Sequence, residues 1–437
     1  MQFVRNIARR PFRPLMQTLR RRAPKDGSNV LNLIARVKRL GLTHTTFIAF
    51  TGSCGKSTAI ALSEAILSSV GKCRKGIDRG TTLAADTVLR ADRSTAYCLL
   101  EAHASFPGGL RKSLWAFQPQ IGVVTTVGDD HFSNYRSREA VAREKGILME
   151  RLPRSGVGIL NVDNPLIADM AKRTRARLLT FGRSPAADLR AFDISSDWPG
   201  RMAMSIAYQG ETVRVQTKLI GTHWVTSVLA AIGVGLACGV DLKSCVQIVE
   251  RTDPVFGRYT IHPRDDGAFF VLDSHKAPYW TIVEGLTFVK GVSAPRKTIV
   301  FGTISDYPGA AGPRYRRVAR DALEVADRVV FVGPHAGHIG RLLRRGIGTG
   351  RLFGFQTTYQ ASQFIDGDEI AGELIYVKGS VSQHLERIML ARLDQVVCWR
   401  EACGRRRACM SCQRFRTVQP LPLGMTFATA EEHQPAL

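Results

Sequence analysis

No apolar run in the 437 residues reaches the roughly 18 to 20 needed to cross a bilayer as a helix. Nine cysteines come without a cleavable secretory signal, so a reducing, cytoplasmic setting is expected rather than a disulfide scaffold. Zinc-finger, RNP-type and helix-turn-helix signatures are missing, and no short-period repeat is visible. Acidic residues are scarce, with 37 Asp and Glu against 61 Lys and Arg, a formal net charge of +24. That charge describes a long-range field rather than a site, and an acidic, phosphorylated substrate explains it as well as nucleic acid does. Residues 1–22 hold seven arginines and no acidic residue, interspersed with Phe3, Val4, Ile7, Phe12, Leu15, Met16 and Leu19. This leader reads as a solvated arm, as a basic binder of an anionic membrane surface on the inner face, or as an Arg-rich targeting peptide.

The informative element that is present is Thr51-Gly52-Ser53-Cys54-Gly55-Lys56-Ser57-Thr58, which follows the apolar run Phe47–Phe50 and precedes a helix-like stretch from Ala59 to Val70. The order is strand, phosphate loop, helix. In such a loop the backbone N–H groups of Gly52 through Thr58 and the helix N-terminus cradle a polyphosphate. Lys56 reaches the outer phosphates and the Ser57 hydroxyl helps to hold Mg²⁺. The spacing is shortened, because Thr51 stands where the full pattern has its first glycine. ATP is the implied nucleotide once the motifs below are added.

A chain of this length exceeds one ordinary core, so two domains plus tails are expected. A short helix near 30–42 leads into strand-like runs at 96–100, 121–125, 156–160 and 178–181 that alternate with helical ones, the signature of a mostly parallel sheet. Short alternating segments at 202–206 and 212–216 predict an antiparallel flap, and a small-residue helix follows from Trp224 to Cys238. Beyond Pro254 the alternation restarts, with strands at 269–272, 298–301, 329–332 and 374–377. The fold class is therefore α/β: a P-loop central domain with a mostly parallel sheet plus a second, Rossmann-like α/β domain. The expected boundaries are a basic leader 1–42, domains 43–253 and 254–395, and a Cys-rich basic tail 396–437. In that tail Cys398, Cys403, Cys409 and Cys412 supply the ligand count for Zn²⁺, with free thiols as the other reading.

Glu101 closes the strand-like run Tyr97–Leu100, the place where a P-loop sheet presents a carboxylate to a nucleotide-bound metal, and His131 follows another such run in Thr125–His131. The order of these motifs resembles the Mur ligase family, the ATP-dependent amide ligases of peptidoglycan assembly and their relatives, over about residues 45–390. The resemblance implies that Ser57, Glu101, His131 and Lys145 serve Mg²⁺, with Lys145 as a carbamylated lysine. It carries Asn161-Val162-Asp163-Asn164, Gly221-Thr222-His223 and Gly257-Arg258 onto family motifs, with Arg258 reaching the ATP phosphates. Within Leu272–Pro278 it implies that Asp273 contacts the ribose. Val377-Lys378-Gly379-Ser380 matches a Lys-Gly-Ser loop, with Glu386 six residues on.

The implied reaction is attack of a substrate carboxylate on the γ-phosphoryl of ATP, then attack of an amine on the acyl phosphate, with release of ADP and phosphate. Lys56, His131, Lys145 and Arg258 are its implied catalytic residues. Domain closure over the nucleotide would exclude water from the hydrolysable intermediate.

Departures from the family pattern fall on the substrate-facing and base-facing positions. Ser227 stands in the segment that contacts adenine, and His275 and Lys276 replace Tyr and Asn beside Asp273, so that these two residues and Lys378 are expected to face substrate. Ile147 and Leu148 occupy the neighbourhood of an expected Glu. About 45 residues precede the phosphate loop, too few for the UDP-sugar domain of the cell-wall enzymes, so the resemblance does not carry over a UDP-muramoyl substrate and the acid stays unidentified. A P-loop ATPase or a nucleotide-binding scaffold docked on nucleic acid or membrane is the alternative reading.

Overall fold

The computed structural model describes residues 27–78, 83–393, 396–401, 403–405 and 408–412. The leader 1–22 and the tail beyond 412 lie outside the described residues. The described residues pack as two units, the first drawn from 27–127, 139–189 and 229–245, the second from 128–138, 190–228 and 246–412.

In the first unit α1 (Gly27–Leu40) precedes β1 (Thr46–Thr51), which pairs in parallel with β3 (Tyr97–Ala102) on one side and β4 (Ile121–Val124) on the other. With β2 (Cys73–Asp78), β5 (Val157–Asn161) and β6 (Arg177–Gly182) the order is β2-β3-β1-β4-β5-β6, parallel throughout. Strands covered on both faces read as continuous apolar runs, and Phe47, Ile48, Ala49, Phe50, Leu99 and Leu100 are all buried. The helices used below are α2 (Lys56–Ser68), α3 (Leu83–Arg90), α4 (Gly109–Phe117) and α5 (Arg138–Glu150). Arg36 and Arg39 of α1 donate to the carbonyls of Trp115, Phe117 and Gln118. These contacts satisfy carbonyls that the end of α4 leaves without helical partners. The small-residue helix predicted from Trp224 is α6 (Val225–Ala237), followed by α7 (Leu242–Arg251).

The second unit carries most of β7 (Leu189–Ser195) and the antiparallel hairpin β8 (Ala203–Tyr208) and β9 (Glu211–Gln216), the flap expected from the short alternating segments. Its own six-stranded sheet runs in the order β10-β11-β15-β12-β13-β14. Those strands are β10 (Thr260–Pro263), β11 (Phe269–Asp273), β12 (Lys297–Phe301), β13 (Arg328–Val332), β14 (Leu352–Phe355) and β15 (Leu374–Lys378). Only β10 is antiparallel to its neighbour. Helices α8 (Ile282–Gly291), α9 (Ala311–Leu323), α10 (Thr358–Asp366) and α11 (Glu386–Ala391) complete it.

At the N-terminal edge of this sheet the fully buried Glu373 accepts from Arg296 (2.8 Å) and Arg328 (2.9 Å), and Thr298 also donates to it. A buried carboxylate is tolerated when its acceptor sites are filled in this way, so this charge cluster serves the fold. The opposite, C-terminal edge is where open α/β sheets bind ligands.

Candidate active site

In the first unit the phosphate loop leaves β1 and turns into α2. Gly55 sits just before that helix at φ 80°, and a Cβ on Gly52 (φ 150°) would stand 2.0 Å from Thr125 Oγ1, so both positions demand glycine. The segment after β4 shapes the loop from beneath. Ser53 N–H donates to Thr126 O (2.8 Å), Cys54 N–H to Thr126 Oγ1 (2.8 Å), and Thr125 Oγ1 to Cys54 O (2.6 Å). Asn161 Nδ2 in turn donates to Thr125 O (2.9 Å), which gives the Asn-x-Asp segment a positioning task one layer behind the loop. Lys56 is buried, its ammonium donating to Gly52 O across the loop. Thr58 is buried in the first turn of α2.

Glu101 is the last but one residue of β3, and its Oε2 accepts from Ser57 Oγ at 2.9 Å. Two hard oxygen donors so placed beside a phosphate loop fit Mg²⁺, which prefers oxygen and retains waters. His103 Nε2 lies 3.4 Å from the other carboxylate oxygen of Glu101. Lys145, on α5, is 1% exposed. A lysine so buried is not the solvated helix lysine that its charge alone suggests. Its neighbour Glu144, which the sequence reading passed over, accepts from Gly108 N–H (2.8 Å) and Leu110 N–H (3.0 Å). That carboxylate satisfies the open N–H groups at the start of α4 and fixes the turn that follows Glu101.

In the second unit His131 adopts a left-handed conformation (φ 51°), and its N–H donates to Asp306 Oδ1 at 3.0 Å. Asp130 Oδ1 is 3.6 Å from His131 Nε2, and the ligating atoms of Asp130, His131 and Asp306 all lie within 4.8 Å of one another. The set suits a hard divalent cation better than His131 alone, because two of three donors are carboxylates. Asp306 escaped the sequence reading, and its one signal is the turn-rich run Ser305-Asp306-Tyr307-Pro308-Gly309.

The segment after β11 is tied to the same turn. Ser305 N–H donates to Ala277 O and Tyr279 N–H to Ser305 O, both at 2.8 Å. Asp273 and Lys378 end adjacent parallel strands in register and form a buried ion pair. Tyr376 Oη donates to Asp273 Oδ2 (3.1 Å), and burial pushes the Tyr376 hydroxyl well above its ordinary range. Arg258 Nη2 lies 3.2 Å from His275 Nδ1, where the guanidinium can only donate. Lys276 follows it in the chain, and Ser227 is buried in the first turn of α6. Behind them His223 packs on Trp224 and Tyr259, and burial lowers its pKa to about 4. The expected site residues thus form two constellations, Gly52–Thr58 with Glu101 in one unit and His131, Arg258, Asp273, His275 and Lys378 in the other.

The Mur ligase middle-domain family model matches residues 50–235. The chain is 30% identical over 345 residues to the UDP-N-acetylmuramoyl-tripeptide--D-alanyl-D-alanine ligase of Mycobacterium tuberculosis (strain CDC 1551 / Oshkosh), covering 74% of this chain and 68% of that one. The chain belongs to the Mur ligase family. Mur ligases are ATP-dependent enzymes that form amide bonds, and they use ATP and Mg²⁺ with a carboxylate-bearing and an amine substrate. Among solved structures, MurF from Acinetobacter baumannii has the same fold with TM-score 0.74 at 21% identity, covering 84% of this chain and 80% of that one. MurF ligase from Thermotoga maritima, solved in complex with ADP, gives TM-score 0.73 at 18% identity and 83% coverage of both chains. These two likenesses bear out the α/β fold class, a P-loop sheet plus a Rossmann-like one. No helix among the described residues is long and apolar enough to cross a membrane.

Of the four tail cysteines, the structure brings Cys403 and Cys409 to His384 rather than gathering all four around one point among the described residues. The described part of the tail is packed, not loose. Val396 and Cys409 belong to the second unit's core.

Proposed function

We propose that this Mur ligase joins a carboxylate to an amine through an acyl phosphate, on an acid other than the UDP-muramoyl tripeptide named for its mycobacterial relative. The observation that carries this reading is the Ser57–Glu101 pair at 2.9 Å beside a buried Lys56, an intact phosphate and metal arrangement, set against the altered His275 and Lys276. A dead homologue would have no reason to keep the first while changing the second.

Lys56 binds the outer phosphates of ATP, and Gly52 through Thr58 bind the rest through their N–H groups. In the first unit Ser57, Glu101 and Lys145, the last as its carbamate, would hold Mg²⁺, and in the second unit His131 would hold Mg²⁺ with Asp130 and Asp306. The ion supplies charge neutralisation on the transferring phosphoryl group. Arg258 adds a fixed guanidinium to the same task, oriented by His275. Asp273 is the ribose contact, held in place by Lys378 and Tyr376, while Ser227 faces the base. His275 and Lys276 are the side chains that select substrate, while Lys378 is taken up by its buried ion pair with Asp273. The setting is the cytoplasm, with contact to an anionic membrane surface through the leader as a separate proposal. Zinc in the tail has no part in the reaction.

The test is turnover with pooled acids and amines. ADP release that needs both an acid and an amine, with a product mass equal to their condensation, establishes the ligase and names its substrates. ATP hydrolysis indifferent to both pools overturns it. Turnover only with UDP-N-acetylmuramoyl tripeptide and D-alanyl-D-alanine retains the ligase and removes the substrate proposal.

A further inference from the structure

The second unit holds a nitrogen and sulfur cluster that the ligase reaction does not use. His384 follows the Lys378 loop and is 1% exposed, and Glu386 and Cys409 are buried beside it. Their ligating atoms lie within 4.8 Å of one another. Glu386 Oε1 faces His384 Nδ1 at 3.3 Å and accepts the backbone N–H of Cys409 at 3.0 Å. The other ring nitrogen, Nε2, lies 3.1 Å from Cys403 Sγ. Cys409 and Cys412 bracket a single 3₁₀ turn closed by a Cys412 N–H to Cys409 O bond of 2.8 Å, the short Cys-x₂-Cys knuckle that metal sites favour.

We propose that His384, Cys403 and Cys409, joined on metal binding by Cys412, whose Sγ here accepts from Arg405 Nη1 (3.5 Å), form a Zn²⁺ site that fastens residues 396–412 onto the segment following Lys378. One imidazole and three thiolates are a soft, four-ligand set that matches tetrahedral zinc and discriminates against Mg²⁺. Glu386 is the orienting carboxylate. By holding Nδ1 it fixes the ring and leaves Nε2 to the ion, the arrangement that ligating histidines commonly show. The structure brings His384, and not Cys398, against Cys403 and Cys409, while Cys398 meets this segment through its backbone carbonyl, which accepts from Arg387 Nη1 (3.0 Å).

Arg387 explains why His384 meets the tail. Its guanidinium, buried with the rest of the side chain, also donates to Arg400 O (3.2 Å), Gln383 O (3.1 Å) and His384 O (3.1 Å). It therefore draws the tail chain against the start of α11. Glu401 repeats the anchoring by accepting from Thr358 N–H (3.0 Å) and Oγ1 (3.2 Å) at the N-terminus of α10. Each thiol that binds gives its proton to solvent as the metal–sulfur bond forms, so the site tightens as pH rises.

Titration of the reduced full-length chain with Co²⁺, followed by Zn²⁺, tests this. One Co²⁺ per chain with sulfur-to-metal charge-transfer absorption, displaced by one Zn²⁺, is expected. Cys403→Ser, Cys409→Ser and Cys412→Ser should each abolish that band, Glu386→Gln should weaken binding roughly 10- to 100-fold, and Cys398→Ser should leave it unchanged. In the unaltered chain Zn²⁺ should shield three thiols from a disulfide reagent until a chelator is added, a readout that needs no variant to fold. No thiolate band at equimolar Co²⁺, no shielded thiols, or binding that survives Cys403→Ser but not Cys398→Ser overturns the proposal.

Discussion

Asp273 and Lys378 face each other at the C-terminal ends of two adjacent parallel strands, β11 and β15, and bridge as a buried ion pair. Sequence order places them 105 residues apart in motifs with different implied tasks. Their pairing makes one device of the two. Breaking such a pair by removing one partner leaves an uncompensated buried charge, at a cost of about 3–5 kcal/mol. Lys378→Met is therefore expected to lower stability by that amount in urea unfolding, and the double variant with Asp273→Asn to recover a large part of it. Equal destabilisation by the single and double variants would contradict the pairing.

Ser57 and Glu101 are expected to act on Mg²⁺ rather than on folding. Glu101→Gln removes the charge while keeping the shape, so the Mg²⁺ concentration for half-maximal turnover should rise at least about tenfold, with unfolding changed little; roughly 1.4 kcal/mol of lost metal interaction gives that factor. Turnover with an unaltered Mg²⁺ dependence would remove Glu101 from the metal.

Asp306 is expected to share its ion with His131. Asp306→Asn keeps an acceptor for the His131 N–H but loses the charge, and it should raise the Mg²⁺ requirement in the same direction as Glu101→Gln. Unchanged Mg²⁺ dependence would leave Asp306 a loop-positioning residue.

Glu144 should show its effect through α4 and the turn after Glu101. Glu144→Ala leaves two backbone N–H groups without their acceptor, which costs about 1–3 kcal/mol. A positioning role predicts a fall in kcat with KM for ATP nearly constant. A rise in that KM with kcat unchanged would assign Glu144 to nucleotide binding.

Acid stability should report His223. Burial, opposed by Asp273 and aided by Lys378, lowers its pKa to about 4, and burial lowers His262 to about 4 as well. Between those values and the unfolded pKa near 6.5 the unfolded chain binds more protons. Stability from these groups is thus full above about pH 6.5 and is lost as pH falls toward 4, by on the order of 1.4 kcal/mol per pH unit for each. His223→Gln should flatten that slope in urea unfolding from pH 7 to 4.5, and an unchanged slope would contradict a buried neutral imidazole.

The legible part of the molecule was the part written locally. The apolar runs of β1, β3 and β4 announced themselves because strands covered on both faces need nothing but apolar residues. Gly52, Gly55, Lys56 and Ser57 stood out because a phosphate loop demands those residues at fixed offsets. Glu144, Asp306 and His384 were not legible. Each acts through a partner distant in sequence or through its place beside the sheet edge, and no periodicity records such a pairing. Glu144 reads as a helix-surface charge until Gly108 and Leu110 are seen against it. Cysteine spacing does not point to His384 for the same reason: it links residues near each other in the chain, while Arg387 ties the loop that carries this histidine to the tail.

The central claim is ligation by an ATP-activated carboxylate, and the most direct measurement is ADP release by the purified chain with ATP and Mg²⁺ against pooled acids and amines, with Lys56→Ala as the blank and mass spectrometry of the products. The account predicts release that requires both pools, vanishes in the blank, and yields a mass equal to acid plus amine less water. ADP release of equal rate with neither pool present would contradict it.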